Sequence, residues 1–174
     1  KKSMTELLTI ALGFLSYAFV ILSIFRLFRI NYFNPIVKIF TTYLEPLSKS
    51  VFFFLTPLLA AIVSALSLKF FSYYLVYSSG HEPLTLFYIS IINIVNSAFR
   101  ILFYSLIASV ILSWVAPGSH HPLLQIIEEI SNNILAPVRK FMPPMGGLDF
   151  SPIIGLLILN LINNLLIQII TTFT

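Results

Sequence analysis

Four apolar runs divide the chain, and each is long enough to cross a lipid bilayer. A helix needs about 20 mostly apolar residues to span a hydrocarbon core of about 30 Å. The runs cover residues 7–25, 51–68, 84–116 and 153–172. The third run, broken only by Arg100, would extend about 50 Å as one helix. We therefore expect it to tilt, to project from the bilayer or to begin as an interfacial helix that bends. The pattern predicts an all-α membrane protein with four transmembrane helices.

Shorter amphipathic segments lie between the apolar runs of each half. Asn34-Pro35 opens the first segment and His121-Pro122 opens the second. In the second segment, apolar residues at three- and four-residue spacing occupy one face and polar residues the other, as in a helix lying in the headgroup plane. Each half thus has the order span, interfacial helix, span. We predict two tandem hairpin repeats, residues 1–79 and 84–174, each with an interfacial amphipathic helix on the same side of the membrane.

Basic residues in the connections predict the orientation of the spans. They follow the first run and the third run, at Arg26, Arg29, Lys38, Lys49, Arg139 and Lys140, whereas the connection between the second and third spans, around residues 78–83, has none. Because short loops rich in Lys and Arg remain in the cytoplasm, both interfacial helices are predicted to be cytoplasmic and both termini periplasmic. Lys1 and Lys2 count against this orientation.

The composition excludes several classes of protein. Of the 174 residues, 58% are hydrophobic and 9% are charged, whereas a soluble domain has about a quarter charged residues. A chain this apolar is neither an ordinary water-soluble fold nor a disordered one. The absence of cysteine excludes thiolate metal sites and a cysteine nucleophile. A net charge of +4 rests on too few charges to indicate nucleic acid, so the expected surroundings are the lipid bilayer and other membrane proteins.

The segment at residues 136–152 has an unusual concentration of proline and glycine. Because proline and a glycine pair do not continue a helix, we expect irregular backbone from Pro137 onward, at or dipping into the interface. One interpretation is a structured turn in which Asp149 or Ser151 caps the last span, with Pro152 in its first turn. The other is a constriction or docking loop whose chemical groups are Arg139, Lys140 and Asp149.

This segment resembles the signature of the YggT family. The residues that carry the resemblance are Ser113, Trp114, Pro122, Leu135, Pro137, Arg139, Lys140, Pro143, Pro144, Gly146, Gly147, Asp149, Ser151 and Pro152. The first half departs from the family pattern at residues 48–52 and 57–60. The resemblance implies a small bacterial inner-membrane protein built of two repeats, with relatives in plastids. Members are associated with osmotic tolerance and potassium uptake, with division and membrane organisation, and with haem attachment, and no single biochemical activity follows from membership.

Polar residues inside the spans form two predicted stripes. Asn160, Asn164 and Gln168 are spaced by four in the last span, with Asn163 beside them, and Asn93, Asn96 and Arg100 form a stripe in the third. Amides facing lipid would leave donors and acceptors unpaired, so we expect both stripes to face another helix or water. They would serve either helix-to-helix hydrogen bonding or an ion path. Arg100 would pair with Glu6 or Glu82, or extend its side chain to the interface.

These observations favour a protein that is not an enzyme. His120 and His121 are adjacent and make a poor chelate, so no metal site is expected, and no cofactor-binding motif is present. The predicted function is a membrane scaffold or assembly factor that holds a partner, or another copy of itself, through the interfacial helices and the segment from Arg139 to Ser151. The alternative is an oligomeric channel for potassium or an osmolyte.

Overall fold

The computed structural model describes residues 2–115, 118, 120–141 and 149–172, and within them the chain is entirely helical. The helices are α1 (Lys2–Leu27), α2 (Pro35–Val51), α3 (Pro57–Tyr77), α4 (Pro83–Val115), α5 (Pro122–Phe141) and α6 (Ser151–Thr172). Four of them, α1, α3, α4 and α6, are long and apolar enough to cross a membrane. The predicted all-α fold with four spans is confirmed.

Local sequence signals determine where the helices begin. The Asn34 side chain accepts a hydrogen bond from the Ile36 N–H and caps α2, and Thr56 accepts one from Leu59 and caps α3. A proline follows each cap. An N–H in the first turn has no acceptor within the helix, so proline loses no hydrogen bond there, and its fixed φ suits the first turn. The amphipathic helices therefore start where Asn34-Pro35 and His121-Pro122 predicted.

The expectation of irregular backbone was wrong for residues 136–141, and residues 142–148 lie outside the described residues. The helix α5 continues through Pro137 and ends at Phe141. Proline in a helix removes one hydrogen bond and frees the carbonyl four residues earlier, here that of Asn133. Both Asn133 and Pro137 lie on the exposed face of α5, where water can bond the freed carbonyl. The helix α2 contains Pro46 in the same way.

The third apolar run forms one uninterrupted helix, α4, of 33 residues. Its length of about 50 Å exceeds a hydrocarbon core of about 30 Å. The helix α4 must therefore tilt or project beyond the core.

The best packed part of the bundle is the α1/α3 hairpin. Small side chains allow the two helices to approach closely, and Ala60, Ala61 and Ala65 are fully buried. Across this contact the Ser16 hydroxyl donates to the Ala65 carbonyl at 2.7 Å, which satisfies a polar group inside the span. In contrast, α6 contacts only α4 and α5 among the described helices, so most of its surface is uncovered.

The two amphipathic helices contact each other at one end of the bundle, which we call the α2/α5 end. On α5 the buried positions are Ile126, Ile130, Ser131 and Leu135, while Leu123 at its start is exposed. The apolar face predicted for α5 thus packs on the bundle along most of its length. The order span, amphipathic helix, span occurs twice along the chain, and a duplication remains a prediction.

Candidate functional site

The charged and polar residues of the 136–152 segment meet at the junction of α5 and α6. The Arg139 Nη2 atom lies 3.0 Å from Asp149 Oδ2, and Arg139 Nε donates to the same oxygen at 3.2 Å. The same guanidinium donates to Ser151 Oγ at 3.3 Å and to Asn132 Oδ1 at 3.1 Å. These contacts join the last turns of α5 to the first turn of α6.

Asp149 also organises the start of α6. Its Oδ1 atom accepts a hydrogen bond from the Ser151 N–H at 2.9 Å and another from the Ser151 hydroxyl. The hydrogen bonds from Ser151 and the neighbouring Arg139 guanidinium hold the pKa of Asp149 below its ordinary value. Pro152 stands in the first turn of α6. The carboxylate is therefore ionised at neutral pH and supports the helix start, as the capping interpretation predicts.

The other motif residues fall into two groups. Lys140 is exposed and makes no ion pair with the described residues, and Pro137 lies within α5. Pro143, Pro144, Gly146 and Gly147 lie outside the described residues.

A wide apolar groove opens beside this junction, and the sequence did not predict it. The groove has a volume of about 700 Å³ and is walled by α4, α5 and the start of α6. Arg139 and Asp149 stand at its rim. Trp114 lines it with 84% of its surface exposed. Several of its lining residues, Ser113, Trp114 and Leu135 among them, were noted in the sequence only as part of the family resemblance.

The intramembrane amides are arranged differently from the predicted stripes. Asn163, which we placed beside the stripe of α6, donates from Nδ2 to Asn96 Oδ1 of α4 at 3.2 Å. Asn160 lines a cavity of about 180 Å³ with Asn96 and Asn163. Asn164 and Gln168 are exposed, on a surface of α6 that no described helix covers. The expectation that these two amides face another helix or water remains a prediction.

The predicted stripe of α4 divides between two cavities. Asn93 lines a small cavity of about 50 Å³ with Ser16 and Lys69, between α1, α3 and α4. Asn96 and Arg100 face the larger cavity beside α6. Because a helix advances 100° per residue, residues three apart diverge enough to contact different neighbours.

Arg100 does not pair with either predicted acidic partner. The ion pairs within the described part of the chain join Arg26 to Glu45, Lys49 to Glu45 and Arg139 to Asp149. Glu82 lies on the turn before α4, about 27 Å of helix rise from Arg100. The pairing with Glu6 or Glu82 is therefore not formed.

An ion-pair cluster of Arg26, Glu45 and Lys49 in the first half was not predicted from the sequence. Arg26, in the last turn of α1, pairs with Glu45 of α2, and Lys49 lies 3.6 Å from the same carboxylate. The Glu45 side chain is only 13% exposed. The available signal was one acidic residue in an otherwise basic connection, with a lysine one helical turn beyond it.

Comparison with known proteins identifies the family. The sequence profile of the CCB3/YggT family matches residues 88–170. A Pseudomonas aeruginosa protein, uncharacterized protein PA0392, is 36% identical over 160 residues, covering 87% of this chain and 81% of that protein. This chain belongs to the CCB3/YggT family.

Two further relatives are also uncharacterized proteins. The Escherichia coli K12 protein YggT is 38% identical over 63 residues, covering 36% of this chain and 33% of YggT. An uncharacterized Haemophilus influenzae protein is 28% identical over 148 residues, covering 81% of this chain and 78% of that protein. No solved structure is significantly similar to this chain. The groove residues and the Arg139–Asp149 pair all lie within the segment that matches the family profile.

Proposed function

We propose that this chain is a non-enzymatic scaffold or assembly factor of the bacterial inner membrane. It holds a transmembrane segment of another membrane protein in the groove between α4, α5 and α6. The α2/α5 end lies in the cytoplasm, because Arg26, Lys49, Arg139 and Lys140 are at that end, and the termini lie in the periplasm. The observation that carries the proposal is the groove of about 700 Å³ beside the motif residues.

The lining of the groove suits a helix. Ser109 and Ser113 of α4 both line it and are spaced by four residues, so they fall on one face of the helix. Small residues at this spacing let two helix backbones approach closely, and close packing replaces the hydrophobic effect as the driving force between helices in lipid. Ile111 and Ile153 provide apolar surface around them.

The rim of the groove supplies polar specificity at one end. The Arg139 and Asp149 side chains are 44% and 49% exposed, so each retains capacity for an additional hydrogen bond. A partner whose polar residues reach this rim would be favoured over one that presents only apolar surface there. The motif residues would thus position both α6 and the bound segment.

A photo-crosslinking amino acid at Ile111 tests this proposal in living membranes. Ile111 lines the groove, and Phe14 of α1 is a matched control because it is exposed but lies outside the groove lining. We expect discrete protein adducts from position 111 and only lipid adducts from position 14. Lipid adducts alone from both positions would contradict a groove that holds protein.

An oligomeric channel is the second candidate, and the exposed amides of α6 favour it. Asn164 and Gln168 are exposed on a surface of α6 that no described helix covers, and Asn160 is exposed beside the α4/α6 cavity. A polar path through them would therefore require several copies around a common axis. Potassium efflux from proteoliposomes tests this candidate, with Asn164→Leu as the blocking variant and Asn133→Leu of α5 as the control. Efflux that Asn164→Leu abolishes and Asn133→Leu preserves would establish the channel, and no efflux from inserted protein would remove it.

A further inference from the structure

Arg100, in the membrane-spanning part of α4, is a charged side chain without a polar partner among the described residues. It is exposed, and it makes no ion pair, hydrogen bond or aromatic contact with the described residues. Lys69, a basic residue inside the α3 span, is in contrast half-buried and lies 4.9 Å from the centre of the Tyr73 ring. An unpaired arginine in a span costs about 2.5–3.5 kcal/mol on insertion scales, so such residues usually have a function.

The position of Arg100 relative to α6 places it deep in the bilayer. Arg100 lines the same cavity as Asn160 and Asn163 of α6. These two asparagines lie about 14 Å and 18 Å from Ser151 along the helix rise. Because α6 is 22 residues long and crosses the membrane once, both positions are near its middle.

The cavity beside Arg100 has further unused polar capacity. Its volume is about 180 Å³, and Asn96, Asn160 and Asn163 contribute amide groups to it. The Oδ1 atom of Asn163 is buried and has no hydrogen-bond partner among the described residues. As an acceptor it can take a hydrogen bond from a guanidinium, but not from an ionised carboxylate. A guanidinium beside neighbouring amides can bind a carboxylate and satisfy both of its oxygens.

Neither a lipid headgroup nor a second copy of this chain supplies that carboxylate. Headgroup phosphates lie at the membrane surface, about 15 Å from the middle of the hydrocarbon core. The six acidic residues of the chain are Glu6, Glu45, Glu82, Glu128, Glu129 and Asp149, and all lie at the ends of the spans or in the connections between them. A symmetric dimer through this face would bring two Arg100 side chains together, and like charges repel strongly in a medium of low dielectric constant.

We infer that the α4/α6 face around Arg100 docks a transmembrane helix of a different protein that carries an Asp or Glu near the middle of its span. This inference rests on the proposed scaffold function and names the chemistry of the partner. The partner carboxylate accepts hydrogen bonds from Arg100 and from the amide NH2 of Asn160, while the free Oδ1 of Asn163 accepts one from the guanidinium. The charge of each helix then compensates the other, so both are stabilised in the bilayer only as a complex.

Designed transmembrane peptides test this inference. Three Leu/Ala peptides with Lys at both ends differ only in their central residue, which is Asp, Asn or Leu. Energy transfer to the labelled full chain in phosphatidylcholine liposomes measures their binding. We expect the Asp peptide to bind about tenfold more tightly than the Leu peptide, with the Asn peptide in between. Equal binding of the Asp and Leu peptides would overturn the inference.

Two variants of Arg100, and a peptide whose Asp is moved toward its end, distinguish a charge pair from non-specific association of helices. Arg100→Gln should remove the advantage of the Asp peptide, whereas Arg100→Lys should retain most of it. Since the Arg100 guanidinium makes no hydrogen bond or ion pair with the described residues, neither variant should alter the thermal unfolding of the chain by much. An Asp placed one residue from the peptide end should bind like the Leu peptide, and tight binding there would overturn a mid-membrane site. If the Asp peptide fails while position 111 still crosslinks to protein, the carboxylate inference is wrong and the scaffold proposal stands.

Discussion

The side-chain amide of Asn34 donates a hydrogen bond to the backbone carbonyl of Pro122, at a distance of 2.8 Å. The same side chain accepts the Ile36 N–H and is 4% exposed. Beside it, the Asn31 N–H donates to Glu129 Oε2 at 2.8 Å. The turn that starts α2 is therefore tied to the start of α5, and this contact holds the two halves of the chain together at the α2/α5 end.

Asn34→Asp separates the two roles of this residue. A carboxylate still accepts the Ile36 N–H, but it has no donor for the Pro122 carbonyl and places a negative charge against it. We expect a loss of about 1–3 kcal/mol in the free energy of unfolding because a buried acceptor is left unpaired. Detergent unfolding followed by circular dichroism measures the change. Asn133→Asp, at an exposed position of α5, should change stability by less than about 0.5 kcal/mol, and an equal loss in both variants would refute the link.

The Arg139–Asp149 pair makes a small, pH-dependent contribution to stability. Because both side chains are nearly half exposed, we expect Arg139→Gln and Asp149→Asn each to lower the free energy of unfolding by less than about 1 kcal/mol. The double variant should be little worse than either single variant. Lys140→Gln, beside the pair, should be silent, and a similar loss in that variant would show a general charge effect.

The pH dependence follows from the pKa of Asp149, which is lower in the folded protein than its ordinary value of 3.8. A lowered pKa means that the stabilisation is present above about pH 4 and is lost as the pH falls through the folded-state pKa. The free energy of unfolding should therefore fall more between pH 6 and pH 3 in the wild-type protein than in Asp149→Asn. An equal fall in the two proteins would contradict the conclusion that the ionised Asp149 carboxylate stabilises the fold.

The Arg26–Glu45 pair should contribute more than the Arg139–Asp149 pair. Its carboxylate side chain is only 13% exposed, compared with 49% for Asp149. Arg26→Gln leaves this largely buried charge with Lys49 alone, at 3.6 Å. We expect a loss of about 1–3 kcal/mol, measured in the same unfolding experiment. A smaller loss than that of Arg139→Gln would show that the more buried ion pair does not contribute more to stability.

Gly155 allows α6 to pack closely against its neighbours. A Cβ atom at this position would lie 2.7 Å from Leu135 Cδ2 and 3.4 Å from Leu106 Cδ1, and both leucines are fully buried. Gly155→Ala should therefore cost about 1–3 kcal/mol through overpacking. Adding Leu135→Val to Gly155→Ala should recover part of the loss. Gly80→Ala, where no atom would lie within 4 Å of the new Cβ, should be nearly neutral.

Much of the fold could be predicted from the sequence because its main signals are local. Apolar runs of about 20 residues defined the four spans, and Asn34-Pro35 and His121-Pro122 marked the two amphipathic helices. The prediction failed at Pro137, because proline is tolerated where the freed carbonyl lies on an exposed helix face. The tie between Asn34 and Pro122 joins positions far apart along the chain, so no periodic pattern could reveal it.

The candidate site was only partly predictable. Arg139, Asp149 and Ser151 were singled out by an unusual run of residues, and the structure brings them together. The groove depends on how far α4 and α6 diverge, which the side chains of one helix do not determine. Among the asparagines of α6, spacing alone could not show that Asn163, rather than Asn164, bonds Asn96, because that choice depends on the rotation of α6 about its axis.

The most direct test of the scaffold account is the mass of the complex that the chain forms in native membranes. The protein is extracted in lipid nanodiscs and its mass is compared with the 19.7 kDa of one chain. A double variant, Ile111→Trp with Ile153→Trp, obstructs the groove, and Ile158→Trp with Ile162→Trp on exposed positions of α6 outside its lining is the control. We predict a discrete heavier complex for the wild type and the control, and a lone chain for the groove variant. A lone chain in the wild type, or a complex that survives obstruction of the groove, would contradict the account.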